Sequence, residues 1–215
     1  MSIDSVIGAE HPWPGLESYG EDAHGWFHGR DFETDALLTL VQRESLTVLY
    51  GRSGLGKTSL LRAGLFPRLR VENYLPIHVH LLLNDGAPDI ISQIGEAIAR
   101  ECRLHAVEGP ALKEATTLWE HFHQKDCDFW SGNDHLLTPV LIFDQFEEIF
   151  TLGRENAERR SRCDALLAEL GDLVENRQPQ SLRLKLEADA TLAELFDPRR
   201  AAHHPLLPRR LPRRL

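Results

Sequence analysis

The sequence predicts an α/β fold, a parallel sheet held between helices as a three-layer α/β/α core, and three observations predict it. The apolar run Leu46-Thr47-Val48-Leu49-Tyr50 leads directly into Gly51-Arg52-Ser53-Gly54-Leu55-Gly56-Lys57-Thr58, and helical character continues from Ser59 to Leu65. A second run, Thr138-Pro139-Val140-Leu141-Ile142-Phe143-Asp144, is apolar without alternation, as suits a central parallel strand buried on both faces. Between and beyond these runs, strand-like and helix-like segments alternate, the order that covers a parallel sheet on both faces.

Taken in order, residues 1–30 carry Trp13, Tyr19, Trp26 and Phe27 among turn residues, and are expected to lie as an extended segment packed on the core with these rings buried. Asp31 is the expected N-cap of a helix with Phe32, Ala36, Leu37, Leu40 and Val41 on one face. The helix after the glycine-rich loop should close or kink at Pro67. Pro76 to Leu83 reads as a strand, and a helix from about Asp89 to Leu104 follows, with Ile91, Ile94, Ile98 and Cys102 at helical spacing. Leu112, Ala115, Trp119 and Phe122 mark another helix, and residues 131–135 a loop. After Asp144, Gln145 to Leu152 reads as helical, and a longer helix runs from Ala157 to about Asn176. Ser181 to Leu186 reads as a short strand. Residues 31–197 are thus the expected core domain, and residues 198–215, rich in Pro and Arg, a tail expected to lack structure.

The chemistry sits first in Gly51–Thr58, which has the G-x-x-x-x-G-K-[ST] spacing of a phosphate-binding loop, or Walker A motif. Its glycines let the backbone curl so that successive N–H groups point at phosphate oxygens, and the helix that follows adds the positive end of its dipole. Lys57 reaches the β- and γ-phosphates, and the Thr58 hydroxyl takes one coordination position on Mg²⁺. Such a loop needs a carboxylate at the tip of a neighbouring strand to hold the metal, and Asp144, ending Val140–Phe143, is placed to be that Walker B group. Glu147 and Glu148 follow within one turn, and either can orient or deprotonate an attacking water.

Composition bounds the remaining possibilities. A chain of 215 residues, 42% hydrophobic and 27% charged, has the make-up of one ordinary globular domain, and no apolar run approaches the roughly 18 residues of a membrane span. The N-terminus lacks a basic region followed by an apolar core, so a cytoplasmic location is expected. The net charge of −9 disfavours nucleic acid as a partner. Cys102, Cys127 and Cys163 form no C-x-x-C pair and read as reduced thiols, and His121, His123 and Cys127 offer no complete metal-ligand set.

Four segments together carry a family resemblance: Pro12-Trp13-Pro14-Gly15-Leu16, Phe27-His28-Gly29-Arg30-Asp31, the stretch from Gly51 through Leu69, and Ile142-Phe143-Asp144-Gln145-Phe146-Glu147-Glu148-Ile149-Phe150. In this order they resemble the novel STAND NTPases, signal-transduction ATPases of the AAA-like P-loop class. The resemblance implies ATP binding and Mg²⁺-dependent hydrolysis used as a switch, with ATP and ADP as ligands and homo-oligomerisation on activation. It places Gly29, Arg30 and Asp31 near the adenine and ribose, beside a loop set of Gly51, Arg52, Ser53, Gly54, Leu55, Gly56, Lys57, Thr58 and Ser59. It also implies effector and sensor modules, which are absent from these 215 residues, so the chain reads as an isolated or truncated NTPase core. Where the family has Leu-Arg-x-Asp, the chain has Leu186-Glu187-Ala188-Asp189, and this motivates a second reading, a nucleotide-binding interaction scaffold with little or no turnover.

Overall fold

A computed structural model describes residue 15 and residues 17–113, 115–151 and 156–197. Pro12, Trp13, Pro14 and Leu16 and the whole 198–215 tail lie outside the described residues. The chain divides into two units, one running to Tyr74 and the other beginning at Leu75.

In the first unit the N-terminal segment is not extended throughout, because Glu21–Trp26 forms a 3₁₀-helix. Tyr19 and Phe27 are half-buried and in ring contact, whereas Trp26 is exposed, so the expected burial of the rings holds for only part of the set. Helix α1 (Asp31–Arg43) follows, with Arg30 at the N-cap position and Asp31 as its first residue. Its buried positions are Thr34 and Leu37, while Phe32 and Leu40 are exposed. The apolar stripe read from the sequence is therefore rotated, and Thr34 enters the core because its hydroxyl is satisfied by the Arg30 carbonyl, 2.8 Å away.

Residues 46–50 enter no ladder among the described residues, and Leu46, Val48, Leu49 and Tyr50 are exposed. A strand exists only by pairing, so β-propensity in this run does not by itself make one. After the glycine-rich loop, a continuous helical run changes type twice: α2 (Lys57–Ser59), a π-helical turn (Leu60–Leu65) and α3 (Phe66–Val71). Pro67 neither ends nor breaks it. Proline has no N–H to give to the carbonyl four residues earlier, and the wider π turn just before it accommodates that loss. Ala63, Leu65 and Leu69 are fully buried in this unit's core.

The second unit is built on a three-stranded sheet in the order β1-β3-β2, from β1 (Tyr74–His80), β2 (Phe129–Trp130) and β3 (Leu136–Asp144). The β2–β3 pair is antiparallel, with Phe129 opposite Leu137 and Trp130 opposite Leu136. The architecture is mixed α/β, but this small sheet is not the parallel sheet of the expected three-layer core. A short β2 returning through the 131–135 turn can only pair antiparallel with β3, since a parallel partner needs a crossover of a dozen or more residues. Along β3 only Val140 is fully buried, so the strand is less enclosed than a central parallel strand would be.

Helix α4 (Ile90–Leu104) begins where expected, with the Asp89 carboxylate accepting from the Ser92 N–H at 3.0 Å. Buried Gln93 exchanges two hydrogen bonds with the Leu82 backbone and donates a third to the Pro88 carbonyl, tying down the turn after β1. Helix α5 (Leu118–His123) is shorter than the sequence pattern suggests. It starts at a capping box, in which Thr117 and Glu120 satisfy each other's backbone N–H, and Leu112 and Ala115 lie before that cap. Helix α6 (Glu148–Thr151) is one turn, and α7 (Ala157–Val174), capped by Asn156, packs on α4 and α5. The core joins Leu75, Ile77 and Val79 of β1 to Ile94 and Ile98 of α4, Phe122 of α5 and Leu166 of α7.

The expected strand at 181–186 is instead helix α8 (Gln180–Ala188). Leu182, Leu184 and Leu186 alternate as in a strand, but Leu, Arg, Lys, Glu and Ala are all strong helix formers. Only Leu182 is buried, and the solvated Arg183 and Lys185 bond the Gln178 carbonyl and the Glu120 carboxylate.

Candidate functional site

In the loop between Tyr50 and α2, Gly54 and Gly56 adopt left-handed backbone conformations, at φ +82° and +72°. A side chain at either would be strained, and the alternation of backbone sign is what turns successive N–H groups towards one side. Lys57 Nζ folds back across the loop and donates to the carbonyls of Gly51 at 2.9 Å and Arg52 at 3.4 Å. Gly51 to Leu55 are exposed, Gly56, Lys57 and Thr58 are half-buried, and Ser59 is buried. The Ser59 hydroxyl accepts from the Tyr19 N–H at 3.1 Å, so this residue anchors the N-terminal segment onto the start of the helix.

Arg30 joins the same neighbourhood. Its Nη1 donates to the Leu55 carbonyl at 3.2 Å, and a Cβ built on Gly56 would stand 3.9 Å from that nitrogen. Glu33 holds the other end of the guanidinium, accepting from Nε at 2.7 Å. Gly29, at φ +80°, makes the turn that brings Arg30 there. Asp31 faces elsewhere, towards Arg68 Nη2 at 3.0 Å, and Arg68 also pairs with Asp35. Neither Glu33 nor Arg68 is singled out by residue spacing, since each meets its partner only through the fold.

In the second unit, Asp144 ends β3 with its side chain largely buried. Oδ1 accepts the Gln145 N–H at 3.0 Å. Gln145 itself is left-handed at φ +57°, an uncommon conformation for a residue with a side chain and one that turns the chain sharply away from the sheet. Glu147 is exposed, and Glu148 is the first residue of α6, its N–H donating to the Gln145 carbonyl at 3.0 Å. One residue beside Asp144 escaped the sequence reading: Nε2 of His78 on β1 lies 3.5 Å from Asp144 Oδ2. Alternation along Ile77-His78-Val79 signals that His78 points away from the core, but not that β1 lies beside β3.

His121 and His123 are both buried, and their rings are packed rather than presented. His121 Nε2 is 3.9 Å from Cys127 Sγ, and burial pushes its pKa down to about 4. His123 stacks on Trp119 at 3.9 Å, with Nε2 2.8 Å from Asn176 Oδ1. All three cysteines are free thiols.

The comparison with protein families bears on the loop and on the Asp144 strand end alike. The family described as Novel STAND NTPase 1 matches residues 12–202. The chain belongs to this family. No curated protein and no solved structure matches it. As a STAND NTPase the chain is a nucleotide-binding NTPase module, a class whose ligand is a nucleotide, commonly with a divalent metal. No helix among the described residues is long and apolar enough to cross a membrane.

Proposed function

We propose that this STAND NTPase binds ATP at the Gly51–Ser59 loop and hydrolyses it with Mg²⁺, as the switch of a cytoplasmic signal-transduction or defence protein. The observation that carries the reading is the loop: glycines 54 and 56 are left-handed, and Lys57 Nζ lies across the loop against two of its carbonyls. A backbone of this shape presents N–H donors to phosphate oxygens, and a lysine so placed exchanges its carbonyl partners for the phosphates. Arg30, held by Glu33, steadies the loop through the Leu55 carbonyl.

In this reading the Thr58 hydroxyl and the Asp144 carboxylate are the protein ligands of the divalent cation, each an oxygen donor of the hard kind that such an ion takes. When bound, Mg²⁺ offsets charge that develops on the phosphate oxygens. Glu148, at the first turn of α6, or Glu147 beside it accepts the proton of the attacking water. Activation involves homo-oligomerisation, and effector and sensor modules act through the nucleotide state.

The test is binding of a fluorescent ATP analogue with Mg²⁺ to the full chain and to Lys57→Ala. Tight binding lost in the variant supports the reading, and equal binding by both overturns it. The scaffold reading has its own support, because Glu187 lies exposed on α8 rather than as a cation at a strand end. Phosphate release abolished by Asp144→Asn and by Glu148→Gln would reject the scaffold, and nucleotide binding without phosphate release would establish it.

A further inference from the structure

Resting on the reading of Asp144 as a metal ligand, we propose that His78 is a positioning residue, holding the Asp144 carboxylate in the orientation that receives the divalent cation. The two residues meet through the sheet. β1 and β3 are hydrogen-bonded neighbours. On β1, Leu75, Ile77 and Val79 enter the core, so His78 projects from the opposite face. On β3, Leu137, Leu141 and Phe143 pack against that core, so Asp144 projects from the same face as His78.

The contact is close. His78 Nε2 is buried and stands 3.5 Å from Oδ2, facing it but outside hydrogen-bond geometry, while Oδ1 accepts the Gln145 N–H at 3.0 Å. An N–H on one oxygen and an imidazole packed against the other restrict rotation of the carboxylate. An ionised carboxylate has about four acceptor sites on its two oxygens, so this bracing is compatible with a cation on the same group. His78 is in turn braced, because Arg100 Nη2 donates to its carbonyl at 2.6 Å and pins this part of β1. A carboxylate oriented in advance gives up less rotamer freedom when the metal arrives, and outer partners of this kind contribute about 10–100-fold to metal affinity or activity.

The experiment titrates Mg²⁺ against binding of a fluorescent ATP analogue to the full chain, for the parent, His78→Phe, His78→Gln and Asp144→Asn, each first checked by its unfolding midpoint. The proposal expects His78→Phe to raise the Mg²⁺ concentration for half-maximal binding about 10-fold, with affinity for metal-free nucleotide unchanged. His78→Gln, which keeps an N–H near the position of Nε2, should return it towards the parent value. A normal Mg²⁺ requirement in His78→Phe alongside a shifted one in Asp144→Asn overturns the role of His78 alone. No rescue by Gln also overturns it, as does a loss seen with Mn²⁺ but not Mg²⁺, which would make His78 a direct ligand. If Asp144→Asn leaves the Mg²⁺ requirement unchanged, the metal reading of Asp144 fails and this proposal with it.

Discussion

His24 Nδ1 lies 2.7 Å from the carbonyl oxygen of Ala63, the carbonyl that Pro67, four residues on, cannot serve. A carbonyl only accepts, so His24 carries its proton on Nδ1, and a side chain of the N-terminal 3₁₀-helix replaces a donor that the helix itself lacks. With the Tyr19 bond to Ser59 and the Arg70–Glu21 ion pair, this fastens the N-terminal segment along the helix that starts at Lys57.

The His24 contact predicts a coupling. His24→Ala should lower the stability of the parent by about 1 kcal/mol, the net worth of one such bond. In a Pro67→Ala background, where residue 67 has an N–H to offer, the same change should cost clearly less. Urea unfolding of the four proteins in a double-mutant cycle measures it; equal costs in both backgrounds would refute the substitution of donors.

Gly64 is closely surrounded. A Cβ there would stand 2.8 Å from Thr34 Oγ1 and 3.2 Å from Phe27 Cε1. Alanine gains about 1 kcal/mol of helix propensity over glycine, whereas overpacking a filled site costs about 1–3 kcal/mol. Thr34 is buried and stiff at χ1, so the clash should win, and Gly64→Ala is expected to lower the unfolding midpoint. Adding Thr34→Ala should recover part of the loss.

Gly56 faces a different constraint, its own backbone. Alanine at φ +72° should cost about 1–2 kcal/mol through the left-handed conformation, and relaxation of the loop should weaken binding of the ATP analogue. Parallel measurement of the unfolding midpoint and of nucleotide affinity checks both effects, and unchanged affinity would count against the loop as the phosphate site.

Trp119 Nε1 and His123 Nε2 both reach Asn176 Oδ1, at 3.2 and 2.8 Å. Asn176 sits at φ +49° just beyond α7, a conformation that asparagine tolerates better than most residues. Asn176→Ala removes the acceptor of the buried Trp119 indole N–H and the polar neighbour of His123 Nε2, whose Nδ1 already meets the Trp119 carbonyl at 2.8 Å, and should destabilise by about 1–3 kcal/mol. Differential scanning calorimetry would show it, and a change smaller than that of an ordinary surface substitution would argue against the network.

His121 predicts an acid dependence. Desolvation, aided by the Lys113 charge, holds its folded-state pKa at about 4, below the ordinary 6.5. The unfolded chain therefore takes up the proton first as pH falls. The contribution of this residue is complete above about pH 6.5 and is lost progressively towards pH 4, on the order of 3 kcal/mol in all. Urea midpoints followed from pH 7.5 to 4.5 should fall less steeply in His121→Leu than in the parent; identical slopes would contradict the buried neutral state.

By itself the sequence determined the local chemistry: the glycine spacing of 51–56, Lys57 at the start of the helix, and Asp144 at the end of an apolar run. Each depends on a few adjacent residues, so residue type and spacing suffice to find it. The family, too, was legible in that spacing. Only the tertiary structure decided what depends on partners distant along the chain. Leu46–Tyr50 has the composition of a strand yet pairs with nothing among the described residues, and residues 181–186 alternate like a strand yet lie in a helix. Pairing and burial, not propensity, settle such segments. For the same reason the sequence could mark Asp144 but not His78. The two are 66 positions apart, and only the hydrogen-bonded adjacency of β1 and β3 brings imidazole to carboxylate.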